Sequence, residues 1–157
     1  MNPLNLPMLI LLEHHQGVWN DYFEAIYEIF HQDFVLTKPN FRGKRLGLKR
    51  YPEYEGKSAT FWHMISTGDQ EDERIPDIRR CERIAWPKPI IDDCDHTCLK
   101  VWAEPKGKNQ RIHIWFEDEG YLVVLDDRGD YILPWTAFYI EREHQRNKYN
   151  KRWERYK

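Results

Sequence analysis

The 157 residues carry 24 Lys and Arg against 26 Asp and Glu, a formal net charge of −2, so bulk charge does not hold this chain to nucleic acid. The length favours one domain with a real core, while seven Trp and nine Tyr exceed what such a core uses and put some aromatics at a binding surface. Three cysteines, an odd number, exclude a disulfide framework and point to a reducing cytoplasm.

Met1 to Leu12 is apolar, but it lacks a basic n-region, contains Pro3 and Pro7, and meets Glu13-His14-His15 before a signal or membrane span is complete. A cytoplasmic protein without a membrane anchor is expected. Val18 to Phe34 spaces Trp19, Tyr22, Phe23, Ile26, Tyr27, Phe30 and Phe34 by threes and fours, which predicts a helix with an aromatic face. From Lys38 to Lys57, Gly and Pro forbid a long helix, and Arg45-Leu46-Gly47-Leu48-Lys49 alternates as a short strand or extended loop. This segment is basic, with Lys38, Arg42, Lys44, Arg45, Lys49, Arg50 and Lys57 against Glu53 and Glu55. An acidic stretch follows at 69 to 77, where Asp69, Glu71, Asp72, Glu73 and Asp77 oppose Arg74. The two surfaces are segregated, which leaves room for a local phosphate-binding face.

Between them, Ala59-Thr60-Phe61-Trp62-His63-Met64-Ile65 is a short apolar stretch whose pattern leaves its secondary structure open. Pro76 to Trp86 predicts a second helix, with Pro at its first position and Trp86-Pro87 disfavouring continuation. On it Arg79, Arg80 and Arg83 are three and four apart and share a side. Cys94-Asp95-His96-Thr97-Cys98 has zinc-ligand residue types, but no second cluster completes four ligands, and no metal is expected.

Period two begins at Leu99. Leu99 to Ala103, Arg111 to Glu117, Tyr121 to Asp126 and Asp130 to Ile140 are separated by short turns, which predicts a four-strand antiparallel meander. Pro134 requires an edge position or a bulge in the last strand, and alternation puts Thr136 and Phe138 on one face with Ala137 opposite. Glu141 to Lys157 reads as a polar, basic helix with Tyr149, Trp153 and Tyr156 on its apolar side, or as a partly ordered basic arm. The expected architecture is α+β over residues 1–157 as a single domain: a helical and loop half at 1–92, the β-meander at 99–140 and the basic C-terminal helix or arm at 141–157.

Chemistry enters where an imidazole, guanidinium groups and a hydroxyl recur on apolar scaffolding. RNA cleavage by internal attack uses those groups, since imidazole both takes and gives a proton near neutral pH and guanidinium forks bind phosphate while staying charged. Thr60-Phe61-Trp62-His63, Arg80-Cys81-Glu82-Arg83-Ile84-Ala85-Trp86 and Tyr131-Ile132-Leu133-Pro134-Trp135-Thr136-Ala137-Phe138-Tyr139, in that order around a meander, resemble the barnase, EndoU, colicin and RelE-like ribonucleases, particularly phage-encoded or mobile-element members. The resemblance covers residues 60 to 139. It implies a metal-independent endoribonuclease without cofactor, a toxin or phage-type effector cutting tRNA or mRNA and partnered by an antitoxin or immunity protein. His63 would then be the general acid or base, Arg80 and Arg83 would hold the phosphoryl oxygens, and Thr136 would orient the phosphate or a water. Lys44, Arg45, Lys57, Trp62 and Tyr139 would bind substrate. No second His or Glu stands where the partner acid can be matched, so the group protonating the leaving oxygen is open. The alternative is a non-catalytic RNA-binding or protein-interaction module, and the oligomeric state is not legible.

Overall fold

A computed structural model describes residues 4–68 and 74–157; most of the acidic stretch, from Asp69 to Glu73, and the first three residues of the apolar start lie outside the described residues. Helix α1, Trp19–Phe30, buries Tyr22, Phe23, Ile26 and Phe30 on one stripe. The predicted periodicity runs on to Phe34 because the chain widens into a π-helical segment, His31–Leu36, that keeps Phe34 in the core. The hydroxyl of Tyr22 donates to the carbonyl of Ile10 at 2.7 Å and ties the N-terminal segment to α1.

A two-residue hairpin of β1, Asn40–Phe41, and β2, Lys44–Arg45, precedes an extended stretch leading to α2, Ala59–Ile65. Ser58 caps α2 by accepting from the N–H of Phe61. Six of its seven side chains are buried, and the exception is the half-buried His63. Phe61 is the centre of the helical half, with ring centroids of Tyr27, Phe30, Phe23 and Trp62 between 5.1 and 5.6 Å away.

Of the expected helix from Pro76 to Trp86 only Ile78–Glu82 is α-helical. Pro76 lies in a short strand, β4 (Ile75–Pro76), paired with β3 (Ser66–Thr67). Asp77 then caps α3, Ile78–Glu82, by accepting from the N–H groups of Arg79 and Arg80, because a carboxylate side chain satisfies free helix-start donors better than Pro76 upstream. Pro87 opens α4, Pro87–Asp92.

The meander follows: β5 (Lys100–Lys106), β6 (Asn109–Phe116), β7 (Tyr121–Asp127) and β8 (Ile132–Tyr139), antiparallel in the order β5-β6-β7-β8. One face, with Ile112, Ile114, Tyr121, Val123, Leu125 and Ala137, packs on the helical half. The other, with Trp102, Trp115, Leu122, Val124 and Ile140, is covered by Tyr149, Trp153 and Tyr156 of α5, Glu143–Tyr156, which is a docked helix. Pro134 serves both expected purposes. On edge strand β8 the register jumps from Leu125 opposite Pro134 to Val124 opposite Thr136, so Trp135 is the extra residue of a β-bulge. No helix among the described residues is long and apolar enough to cross a membrane.

Truncating Phe61 to Ala removes the hub of four ring contacts in a fully buried position. It is expected to cost about 3 to 5 kcal/mol, read as a lower urea midpoint in equilibrium unfolding.

Candidate functional site

Arg80, Thr136 and the main chain of His63 meet where α2, α3 and β8 join. The hydroxyl of Thr136 donates to the carbonyl of His63 at 3.1 Å. Nη1 of Arg80 donates to Thr136 Oγ1 at 3.2 Å, to the His63 carbonyl at 3.3 Å and to the Ser66 carbonyl at 2.9 Å. It is thus the carbonyl of His63 that faces the guanidinium, while the imidazole lies edge-on to Trp135, with centroids 5.3 Å apart. Burial pushes the pKa of Arg80 below its ordinary value. Its guanidinium satisfies the last carbonyls of α2, a structural task that a surface phosphate clamp would not have.

The other sequence-predicted residues are placed differently. Arg83 lies over the rings of Tyr139, at 4.2 Å, and Trp86, at 5.2 Å, and its Nε is buried without a hydrogen-bond partner among the described residues. Tyr139 is accordingly half-buried beneath it. Lys57, 9% exposed, sets its ammonium over Phe23 and Tyr27 at 5.3 and 4.9 Å beside Glu24. The indole of buried Trp62 donates to the carbonyl of Tyr54. Lys44 and Arg45 are exposed on β2. Replacing Arg80 by Ala removes one charged donor from the His63 and Ser66 carbonyls, which keep Thr136 and Arg74 as donors, and a loss of about 1 to 2 kcal/mol is expected in chemical denaturation.

A concave site of about 420 Å³ opens on the α5 side of the sheet, and of the residues singled out above only Thr136 lines it. Cross-strand register builds its floor. Trp102, His113, Val124 and Thr136 form one row, and Glu104, Arg111 and Asp126 form the next. Trp135, displaced by the bulge, makes one wall, and Tyr149 and Arg152 of α5 make another. Three cations, Lys106, Arg111 and Arg152, line the site against one carboxylate, Glu104.

His113 is the central group. Its ring stacks parallel on Trp102 at 5.0 Å, and its Nε2 is 3.3 Å from Nη2 of Arg152. Guanidinium nitrogens only donate, so Nε2 accepts and the proton is assigned to Nδ1. That Nδ1 is buried, has no hydrogen-bond partner among the described residues, and is 3.9 Å from Oε2 of Glu104. Burial pushes the pKa of His113 down to about 4, opposed by Glu104 and reinforced by Arg152 and Arg111. The imidazole is therefore neutral at pH 7. Glu104 accepts both prongs of Arg152 at 2.8 Å and the Trp102 indole N–H at 2.7 Å. Burial alone would raise its pKa, but these hydrogen bonds outweigh it and hold the carboxyl below its usual value.

Arg111 donates to Asp126 at 2.9 Å and lies 4.2 Å over the ring of Trp135. Asp126, 1% exposed, also accepts from Arg128 at 2.7 Å, so two guanidiniums share one buried carboxylate. Glu104, Arg111, His113 and Arg152 were not singled out from the sequence. The signal was present in Arg111-Ile112-His113-Ile114, where the polar residues alternate with core isoleucines and so share the opposite face. In the Cys94 to Cys98 segment, Cys94 is buried and the thiol of Cys98 is 3.0 Å from Nδ1 of His96. No group of three or more His, Cys, Asp or Glu arranged to hold a metal ion occurs among the described residues. No family model, curated protein or solved structure matches this chain.

A neutral buried imidazole makes stability depend on pH with a definite sign. Below pH 6.5 the unfolded His113 binds a proton that the folded one refuses until about pH 4, so its contribution is complete above 6.5 and is lost as pH falls through that window. His113→Gln is expected to flatten this part of the curve, with the melting temperature of the wild type falling about 3 °C or more further than that of the variant between pH 6.5 and 4.5.

Proposed function

We propose that this chain is a metal-independent endoribonuclease acting in the cytoplasm, with its scissile phosphate in the site between the sheet and α5. The observation that carries the reading is the convergence in one concave site of Arg111, Arg152 and His113, whose buried Nδ1–H has no hydrogen-bond partner among the described residues. All three donate; Arg111 and Arg152 already hold the carboxylates of Asp126 and Glu104, and a phosphodiester offers acceptors that compete for those two guanidiniums. A site of this volume is of the size that takes a small-molecule or nucleotide group.

Phosphate competes with Glu104 for Arg152. A guanidinium drawn to the phosphate releases the carboxylate, whose basicity then rises, and Glu104 accepts the proton of the attacking 2′-hydroxyl. Arg111 and Arg152 hold the phosphoryl oxygens as negative charge builds, and the neutral His113 donates its Nδ1–H to one of them. His63, beyond Trp135, is the imidazole that returns a proton to the departing 5′-oxygen. Arg80 keeps Thr136 and the end of α2 in register with the site. In this reading the chain is a toxin or phage-type effector cutting tRNA or mRNA, restrained by an antitoxin or immunity protein.

One observation favours a second reading, a non-catalytic RNA-binding module: both oxygens of Glu104 are already occupied by Arg152 and Trp102. Incubation of the purified chain with several RNA classes in EDTA separates the two. The nuclease yields fragments ending in 2′,3′-cyclic phosphate, and Glu104→Gln and His63→Ala each slow cleavage by about 10²-fold or more. Salt-dependent RNA binding with every RNA left intact sinks the nuclease and leaves the binding module.

A further inference from the structure

We infer that the RNA strand is single-stranded and reaches the site over the surface formed by Lys44 to Tyr54 and Tyr131, entering at Trp135; this rests on the RNA reading above. The stretch after β2 is fixed alongside β8. The N–H of Gly47 donates to the carbonyl of Ile132 at 2.8 Å, and a Cβ at Gly47 would meet the side chain of Leu133 at 3.1 Å, so glycine permits the close approach. Two residues on, Lys49 is held at both main-chain polar groups: its N–H donates to the hydroxyl of Thr60 at 2.9 Å, and its carbonyl accepts from the Thr60 N–H at 3.0 Å.

That anchoring sets the ammonium of Lys49 5.5 Å from the centre of the Trp135 ring, which also carries the guanidinium of Arg111 at 4.2 Å. Trp135 thus gathers two cations at the mouth of the site, where phosphates of an incoming strand would pass. Away from the mouth the surface is basic and aromatic together. Lys44 and Arg45 are exposed, Tyr51 is 69% exposed, and Tyr131 is 48% exposed with the guanidinium of Arg128 6.0 Å from its ring. Glu53 takes up Arg50 at 3.7 Å, so it does not cancel the other cations.

Large rings left in water beside cations suit a strand whose bases are unstacked. A base in a duplex has both faces covered by its neighbours, whereas an unpaired base offers a face to tyrosine while its phosphate meets Lys or Arg. A generic polyanion would use the cations and ignore the rings.

The test uses the full chain carrying Glu104→Gln, in EDTA, and fluorescence anisotropy with one labelled RNA strand, alone or annealed to its complement, and with labelled heparin. The single strand is expected to bind at least tenfold tighter than the duplex. Tyr51→Ala with Tyr131→Ala weakens the single strand by about tenfold or more and leaves heparin unchanged. Lys44→Ala with Arg45→Ala lowers the slope of log affinity against log salt by about 1.4. Equal affinity for duplex and single strand, or tyrosine variants that bind the single strand as before, overturns the inference. Wild type that shows the single-strand preference but never cleaves refutes the nuclease alone, and cleavage without that preference refutes the strand path alone. Absence of RNA binding refutes both.

Discussion

The four-stranded meander has two faces to shield from water, and a single short helix covers one of them. The helical half closes the first face with Ile112, Ile114, Val123, Leu125 and Ala137. Helix α5 has 14 residues, about 21 Å of axis, and packs Tyr149, Trp153 and Tyr156 against Trp102, Trp115 and Leu122. Farther along that face His113 and Thr136 share a row with Trp102 and Val124, and Glu104, Arg111 and Asp126 make the next row polar. Glu104, Arg111, His113 and Thr136 occupy the part of the sheet that α5 does not seal, and the concave site is the consequence. Arg152 on α5 closes it by clamping Glu104, so docking the helix and building the site are the same event.

Cations in this molecule divide into two kinds by what surrounds them. Arg80, Arg83 and Lys57 lie among carbonyls or over aromatic rings, and each binds one element of the helical half to its neighbour. A buried charge requires such compensation, because leaving it unpaired would cost more than the contact returns. Arg111 and Arg152 also have carboxylate partners, yet they line the opening, and beside them the Nδ1 of His113 is buried with no hydrogen-bond partner among the described residues. The first kind fixes the fold; the second leaves positive charge on the lining of the concave site.

The bulge at Trp135 links the two regions. Inserting one residue between Pro134 and Thr136 turns the indole out of the strand's alternation. It then meets the imidazole of His63 and the cations of Lys49 and Arg111. Thr136, the next residue, resumes the register, lines the site and reaches back to the end of α2. Through these two side chains the α2 terminus and the sheet face act on one place.

Much of the architecture was legible along the chain because it is written in local periodicity. The spacing of Tyr22, Phe23, Ile26 and Phe30 specifies α1, the alternation from Leu99 to Ile140 specifies the meander, and Pro134 marks the bulge. Where α3 starts was not legible, since it turns on whether Asp77 or Pro76 meets the first helical N–H groups. The site was less legible still. His63, Arg80 and Thr136 could be named from residue type, but type does not reveal that a carbonyl rather than an imidazole would face the guanidinium. His113 stood in plain alternation, yet only the pairing of β5 with β6 and the docking of α5 put Glu104 and Arg152 against it. By itself the sequence determined α1, the meander and the faces they bury, because near neighbours control backbone conformation and amphipathic period. Tertiary structure alone decided which charges were consumed in packing and which were left facing the opening, because that depends on residues far apart in the chain competing for the same partners.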